Sequence, residues 1–212
     1  MKKLLFGAAV LAIMAGTGGP AYADYTLNIL HINDFHSRFE PISKYDSNCS
    51  AGDEADGKCF GGIARLKTAI DEQRSALAGQ NVVLVSAGDE FQGSLFYTTY
   101  KSKVVADFMN DLGFDVAATG NHEFDNEPAE LARFADLAKF PILSGNFDVS
   151  KEPLLAGKLP KYVILDIGGQ KVAFAGALTG DTAEISSPGP NVTFEDAIAN
   201  YTSKPPKMAS AQ

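Results

Sequence analysis

The chain has 212 residues, with 18 lysines and arginines against 26 aspartates and glutamates and a formal net charge of -8. Hydrophobic residues make up 45% and charged residues 21%, close to globular averages, which excludes intrinsic disorder, collagen-like repeats and a coiled coil. The acidic balance argues against nucleic acid or an anionic membrane as the main partner, because both favour a basic surface. The acidic balance is compatible with a site that binds cations.

The first 23 residues have the pattern of a secretory signal peptide. Two lysines precede an apolar run over residues 4–16, and Ala21 and Ala23 supply small residues at the cleavage positions. An uncleaved membrane anchor is the alternative, but the run is shorter than the ~20 residues that span a bilayer. We therefore expect an exported bacterial protein, periplasmic or secreted, with no membrane span after cleavage.

Cys49 and Cys59 lie in a polar stretch that shows neither helix nor strand periodicity. In an exported protein, a local disulfide that pins a surface loop is the expected state of such a pair. Metal binding is the alternative, but two thiols with no histidine inside the loop are too few ligands for zinc. The acidic loop also lacks the glycine placement of an EF-hand.

The segments after Asp24 alternate between strand and helix patterns. Residues 25–31 alternate and are rich in strand formers, and residues 62–77 carry apolar side chains at helical spacing. A continuous apolar run over 82–86 predicts a strand that is covered on both faces. A second helical stripe over 104–112 ends at Gly113, which is a common stop signal.

The second half continues the βαβ pattern. It predicts a strand over 115–119, an alanine-rich helix over 127–139 and a short strand over 141–144. Residues 162–167 and 171–178 flank Gly168-Gly169, which is a hairpin signal. The whole pattern predicts a layered α/β fold, in which loops from the carboxyl ends of the strands meet at one edge.

Three of these strand ends carry the unusual polar residues of the chain. Asp34 and His36 follow the first strand, Asp89 follows the second and Asn121 follows the third. Each motif alone is compatible with an ordinary polar loop. A dinuclear phosphoesterase needs such oxygen and nitrogen ligands to hold two divalent ions, with one carboxylate bridging them and water as nucleophile. Asp34 and His36 would hold one ion, Asp89 would bridge, and Asn121 would bind the second ion.

His122 directly follows one of these candidate ligands. Asp125, three residues further on, is close enough to fix the imidazole tautomer and raise its pKa. A cationic imidazole beside a phosphoryl group would stabilise developing charge or protonate the leaving oxygen, so we assign His122 to catalysis rather than to metal binding. His31 precedes the loop at a strand position, and we interpret it as a core or edge histidine.

Longer strings resemble a known family: LNILHINDFHSRFEP, GGIARLKTAI, SAGDEFQGSLFY and ATGNHEFDN are similar to the exported 5'-nucleotidases and 2',3'-cyclic-nucleotide 2'-phosphodiesterases. These belong to the calcineurin-like metallophosphoesterase superfamily. The resemblance implies a sandwich of βαβαβ units plus a β-hairpin, two divalent ions such as Zn, Mn or Co, and a nucleotide or other phosphate-ester substrate. The implied roles are Asp34 and His36 on the first metal, Asp89 as the bridge, Asn121 on the second metal, and His122 with Asp125 as the catalytic dyad.

The resemblance also implies ligands that this sequence does not contain. In the family, three further histidines complete the metal site, one in a later loop and two in a G-H-x-H block, and a separate domain binds the nucleoside. This chain has no histidine after His122. We therefore expect a phosphoesterase that is weak or inactive as this chain. The alternative is a non-catalytic secreted remnant with a partial divalent-metal site.

The C-terminal stretch predicts a helix that stops early. Thr193 and Asp196 have the spacing of a capping box, an apolar face begins at Phe194, and the prolines at 205–206 cannot continue the helix. A truncated or frameshifted product is the favoured explanation, and a natural flexible tail is the alternative.

These patterns predict three segments. Residues 1–23 are the signal peptide, residues 24–190 are the N-terminal part of a metallophosphoesterase domain, incomplete at its C-terminus, and residues 191–212 are an aborted helix with a disordered tail.

Overall fold

A parallel sheet forms the centre of the molecule. The computed structural model describes residues 24–203, so the predicted signal peptide lies outside the described residues. The strands are β1 (Leu27–Ile32), β2 (Asn81–Ser86), β3 (Val116–Ala118) and β4 (Ile142–Leu143), and they are neighbours in that order. All three pairings are parallel. The carboxyl ends of successive strands therefore lie side by side.

Helices connect the strands. They are α1 (Ala51–Ala55) and α2 (Ile63–Ala76) before β2, α3 (Leu95–Tyr100) and α4 (Ser102–Leu112) before β3, and α5 (Glu127–Leu137) before β4. Val105, Met109, Leu131 and Phe134 are buried together with Leu84 of β2. Burial of each such side chain contributes about 1.5–3 kcal/mol to the free energy of unfolding. Within residues 24–203, every helix is too short or too polar to span a bilayer.

Strand residues alternate between the two faces of the sheet. Leu30 and Leu84 belong with the helix-side core, whereas Ile29, His31 and Val85 line a cavity on the other side. Phe174 and its neighbours form part of the lining of that cavity. His31 thus lies on the edge strand β1, as expected, and lines this cavity.

Two antiparallel strand pairs lie outside the parallel sheet. β5 (Phe147–Asp148) pairs with β8 (Thr193–Phe194), and β6 (Tyr162–Ile167) pairs with β7 (Gln170–Ala175), both antiparallel. The β6–β7 pair is the hairpin that the two adjacent glycines predicted. Two short helices, α6 (Thr182–Ile185) and α7 (Ala197–Ser203), flank β8. The predicted layered α/β architecture is present.

The sequence pattern missed three helices, α1, α3 and the four-residue α6. α1 has only five residues and lies inside the polar cysteine loop, where Ser50 caps it by accepting the N–H of Asp53 at 3.1 Å. α3 is rich in aromatic and β-branched residues, which have low helix propensity, so its sequence resembles a strand.

Cys49 and Cys59 form a disulfide with their α carbons 5.8 Å apart, and the loop that it closes contains α1.

The predicted C-terminal helix is present as α7, but the prediction that it begins at Thr193 is wrong. Thr193 and Phe194 form β8, and the Phe194 ring lies 5.8 Å from that of Phe147 and 6.2 Å from that of Phe124. Packing of three aromatic rings outweighs the local capping signal. Asp196 caps the later helix α7 instead. The fold therefore continues past residue 190, where we placed the end of the domain, and residues 204–212 lie outside the described part.

Arg74 on α2 provides a test of how the helices are held together. Its guanidinium donates hydrogen bonds to the carbonyl oxygens of Leu112 at 2.7 Å and Gly113 at 2.6 Å, which are at the end of α4. We expect Arg74→Met to lower the free energy of unfolding in urea by about 1–2 kcal/mol, because two charged hydrogen bonds to the end of a helix are lost.

Arg133→Met is the matched control for Arg74→Met. Arg133 is half-exposed on α5 and faces Glu130 at 3.6 Å, an arrangement worth less than about 1 kcal/mol. Equal losses in the two variants would contradict the role given to Arg74.

Candidate active site

Three loops meet at the carboxyl edge of the parallel sheet. Loop 1 (residues 33–38) follows β1, loop 2 (residues 87–93) follows β2, and loop 3 (residues 119–126) follows β3. Loops 1 and 2 are joined by two backbone hydrogen bonds: the N–H of Asp34 donates to Gly88 at 3.0 Å, and the N–H of His36 donates to Asp89 at 3.1 Å. The sheet order therefore delivers all the predicted site residues to one edge.

Loops 2 and 3 approach so closely that only glycine fits between them. A Cβ atom on Gly88 would lie 2.4 Å from the backbone nitrogen of Gly120, and Gly88 has a φ of +97°. A Cβ atom on Gly120 would lie 2.2 Å from Oδ1 of Asp89. Both distances are far below van der Waals contact, so the two backbones touch directly.

Three predicted site residues have unusual backbone angles. Asp34, His36 and Asp89 have φ values of 52°, 49° and 58°, in the left-handed region, and Ser37 beside His36 has a φ of 49°. Such conformations cost about 1–3 kcal/mol each and persist only where the surroundings enforce them. The loops hold these side chains in directions that an ordinary turn would not give.

His36, Asp89 and His122 form a cluster of potential metal ligands. Their ligand atoms all lie within 4.8 Å of one another, and the two imidazole rings meet edge to face with centroids 4.8 Å apart. Oδ1 of Asp34 lies 3.8 Å from Nε2 of His36. Carboxylate oxygen and imidazole nitrogen suit Zn, Mn, Co and Fe, so the donor set fits a divalent ion of this kind.

The hydrogen bond of His36 supports this fit. Its Nδ1 lies 3.1 Å from the carbonyl oxygen of Phe91. A carbonyl can only accept, so Nδ1 carries a proton, and in the neutral imidazole Nε2 is then the nitrogen with the free lone pair. Histidine ligands in metal sites commonly donate their second nitrogen to a backbone carbonyl in this way. The structure thus prepares Nε2 of His36 as a ligand atom.

His122 and Asp125 form a hydrogen-bonded pair, as expected from their spacing. Nδ1 of His122 lies 2.6 Å from Oδ2 of Asp125, and the other carboxylate oxygen accepts a hydrogen bond from Ser186 at 2.7 Å. Burial alone would lower the pKa of His122, but the hydrogen bond and charge of Asp125, together with the charge of Asp89, raise it above 6.5. The imidazole therefore gains cationic character.

Asn121 begins the 3-10 turn His122–Phe124 and is half-buried. Its backbone carbonyl accepts the N–H of Phe124 at 3.1 Å, which fixes the turn. Its place in loop 3, next to His122, is compatible with the assigned role. The metal-binding roles of Asp34, His36, Asp89 and Asn121 stay predictions.

Sequence reasoning missed three residues of this site. Glu123 is buried beneath loops 2 and 3, Glu90 is buried next to Asp89, and Ser186 supports Asp125 from a distant part of the chain. Burial raises the pKa of Glu90 to about 8, and nearby carboxylates add to the shift although its hydrogen bond with Ser86 opposes it. Glu123 belongs to the GNHE string, which marks the loop as part of the site but does not indicate that this glutamate is buried, because a glutamate in a loop is ordinarily exposed.

The fold and the residues of these three loops are typical of a class of phosphoesterases. Residues 27–201 match the family of calcineurin-like phosphoesterases, and the chain belongs to that family. This confirms the family that the strand-end motifs indicated.

The chain is also similar to individual proteins and to solved structures. The chain is 40% identical over 195 residues to the 5'-nucleotidase of Homo sapiens, covering 90% of this chain and 33% of that protein. It is 38% identical over 185 residues to an apyrase of Tabanus yao, covering 87% and 32%. The solved 5'-nucleotidase precursor of Thermus thermophilus has a TM-score of 0.70 and 36% identity, covering 84% of this chain and 35% of its own. The chain spans about a third of the length of these relatives.

Gly120→Ala tests the close contact between loops 2 and 3. The added methyl group would collide with Oδ1 and the backbone nitrogen of Asp89. We expect the free energy of unfolding in urea to fall by more than about 2 kcal/mol, because neither backbone can move without disturbing its strand.

Gly180→Ala is the control, since a Cβ atom there meets nothing within 4 Å and its backbone needs no left-handed angle. We expect that variant to differ from the parent protein by less than about 0.5 kcal/mol. A Gly120→Ala protein as stable as Gly180→Ala would show that the two loops are not in direct contact.

Proposed function

We propose that this chain carries the catalytic edge of a metal-dependent phosphoesterase of the 5'-nucleotidase type, which hydrolyses nucleotide phosphate esters in nucleotide catabolism. The observation that carries the proposal is the convergence of two candidate ligands, His36 and Asp89, with the His122–Asp125 pair at adjoining strand ends. The names of the relatives support a nucleotide as substrate. The predicted signal peptide supports export as the cellular context.

Four residues would hold the metal ions. Asp34 and His36 would bind the first ion, Asp89 would bridge and Asn121 would bind the second. When bound, divalent ions supply Lewis-acid chemistry: they polarise a phosphoryl oxygen and lower the pKa of water. The chain fixes the direction of two of these ligands, Asp89 through its left-handed backbone angle and His36 through its hydrogen bond with Phe91.

His122 would act on the phosphoryl group itself. Its Nδ1 is held by Asp125, so Nε2 is the nitrogen that would face a substrate. A raised pKa favours the protonated ring, which lacks the lone pair that a metal needs and can donate a hydrogen bond or a proton to a phosphate-ester oxygen. Asp125 stabilises that cation and fixes the orientation of the ring.

We infer that the site binds metal weakly when this chain is alone. The resemblance implies three further histidine ligands, and the sequence has no histidine after His122. Loss of a single supporting contact in a metal site typically costs 10- to 100-fold in affinity. A secreted, non-catalytic protein that binds one divalent ion is therefore the second candidate. The small number of candidate metal ligands in this chain favours it.

Asp89→Asn tests the metal site. This substitution keeps the shape of the side chain but removes the charge that would bridge two cations. We expect Mn²⁺ affinity, measured by titration calorimetry, to fall at least about 10-fold, and phosphate release from AMP with Mn²⁺, Co²⁺ or Zn²⁺ to fall with it.

Asp107→Asn is the control for this test, since Asp107 is exposed on α4 and pairs with Lys103 of the same helix. Equal Mn²⁺ affinity in Asp89→Asn and the parent protein would contradict the metal site. Metal binding without any release of phosphate would select the non-catalytic candidate.

Asp125→Asn separates catalysis from metal binding. The amide can still accept the Nδ1 proton of His122, but it no longer stabilises the imidazolium. We expect phosphate release to fall about 100-fold at pH 7 while Mn²⁺ affinity stays within about 2-fold of the parent value. Asp136→Asn, an exposed control on α5, should change neither quantity. A parallel loss of Mn²⁺ affinity in Asp125→Asn would place this pair among the metal-binding groups instead.

A further inference from the structure

Glu123 is the most completely buried charged side chain near the site. It is 1% exposed, and both of its carboxylate oxygens point away from solvent into the junction between loops 2 and 3. Among residues 24–203, no lysine, arginine or histidine lies within ion-pair distance of it, that is, within 4.0 Å. An isolated buried carboxylate is costly, so other groups must compensate its charge.

Four backbone N–H groups provide that compensation. Oε1 accepts from Glu90 at 2.8 Å and from Phe91 at 3.1 Å, whereas Oε2 accepts from Asp89 at 3.0 Å and from Gly120 at 2.6 Å. Three successive N–H groups of loop 2 and one of loop 3 therefore converge on a single side chain. Such a concave arrangement of backbone donors is a typical anion-binding nest.

These four bonds use the acceptor capacity of the carboxylate. Each oxygen already receives two hydrogen bonds, so Glu123 has no free lone pair for a metal ion. Burial separates it from solvent as well. Glu123 is therefore not a ligand of the neighbouring cluster, although it lies in the same loop as Asn121 and His122.

The hydrogen bonds to Glu123 also determine the positions of the predicted ligands. One of them is donated by the N–H of Asp89, whose φ is 58°. The carboxylate of Asp89 in turn accepts the backbone N–H of His122 at 2.9 Å through Oδ1. Loop 2 is thus joined to loop 3 through both Glu123 and Asp89, and within residues 24–203 the Oδ2 atom of Asp89 accepts no hydrogen bond.

We propose that Glu123 is a positioning residue that sets the separation of loops 2 and 3, so that Asp89, Asn121 and His122 are arranged for metal and phosphate before either binds. This inference rests on the proposed function, because it assigns the arrangement to that site. Glu123 itself touches neither metal nor substrate and acts only through the loop backbones.

Glu123→Gln tests this role with little change of shape. The amide keeps one accepting oxygen but presents an NH₂ group to two of the four backbone N–H donors. These two donors lose their acceptor and are repelled by the NH₂ group. We expect Mn²⁺ affinity to fall at least 10-fold in titration calorimetry, and the visible absorption bands of bound Co²⁺ to change, while far-ultraviolet circular dichroism stays that of a folded protein.

Glu152→Gln is the matched control. Glu152 is also buried, at 7% exposure, and accepts hydrogen bonds from Leu154 and Asn191 outside the three loops. We expect it to lose stability and keep the parent Mn²⁺ affinity and Co²⁺ spectrum. Parent-like Mn²⁺ affinity and Co²⁺ bands in Glu123→Gln would overturn the inference and leave the proposed function standing. A parent protein that binds no Mn²⁺ would overturn the proposed function.

Amide hydrogen exchange of the unaltered protein gives a test that does not depend on the folding of a variant. We expect the N–H groups of Asp89, Glu90, Phe91 and Gly120 to be strongly protected without metal, and Zn²⁺ to leave their exchange rates unchanged. Protection that arises only after Zn²⁺ is added would mean that metal, not Glu123, arranges the loops, and would overturn the inference.

Discussion

The backbones of Gly88 and Gly120 meet with no side chain between them, and the geometry of the whole site depends on this contact. It brings Asp89 close enough to accept the N–H of His122, and it leaves room beneath for a single carboxylate to reach both loops. The contact in turn requires that β2 and β3 be parallel neighbours, because only then do both loops leave the same edge of the sheet. Sheet topology, glycine and buried charge are thus parts of one arrangement.

Much of the fold was predictable from the sequence, because the burial of a strand or of one helix face requires apolar residues at regular positions. A strand covered on both faces must be apolar throughout, which made β2 recognisable, and the stripe of α4 ends at a glycine in the left-handed conformation. The predicted site residues were also recognisable, because loops after parallel strands converge. Three of them, His36, Asp89 and His122, are brought within 4.8 Å.

Other features depended on direction or on distant partners, which a sequence does not display. Nothing in the string GNHE indicates that the glutamate turns inward; the 3-10 turn His122–Phe124 and the N–H groups of loop 2 determine that. The capping signal at Thr193 was genuine but weak, and pairing with β5 together with the rings of Phe124 and Phe147 outweighed it. Local propensity decides structure only where tertiary contacts do not compete.

Asp125 has two partners that lie at very different distances along the chain. His122 is three residues away and Ser186 is 61 residues away. The first contact needs one turn of backbone, whereas the second requires the polypeptide to return after β7 and α6 have formed. Contacts between distant residues form late, because closing a long loop costs entropy before any contact compensates for it. A chain synthesised from its N-terminus would therefore assemble the histidine–aspartate pair early and immobilise it late, so that a competent acid–base pair is among the last properties the folding protein acquires.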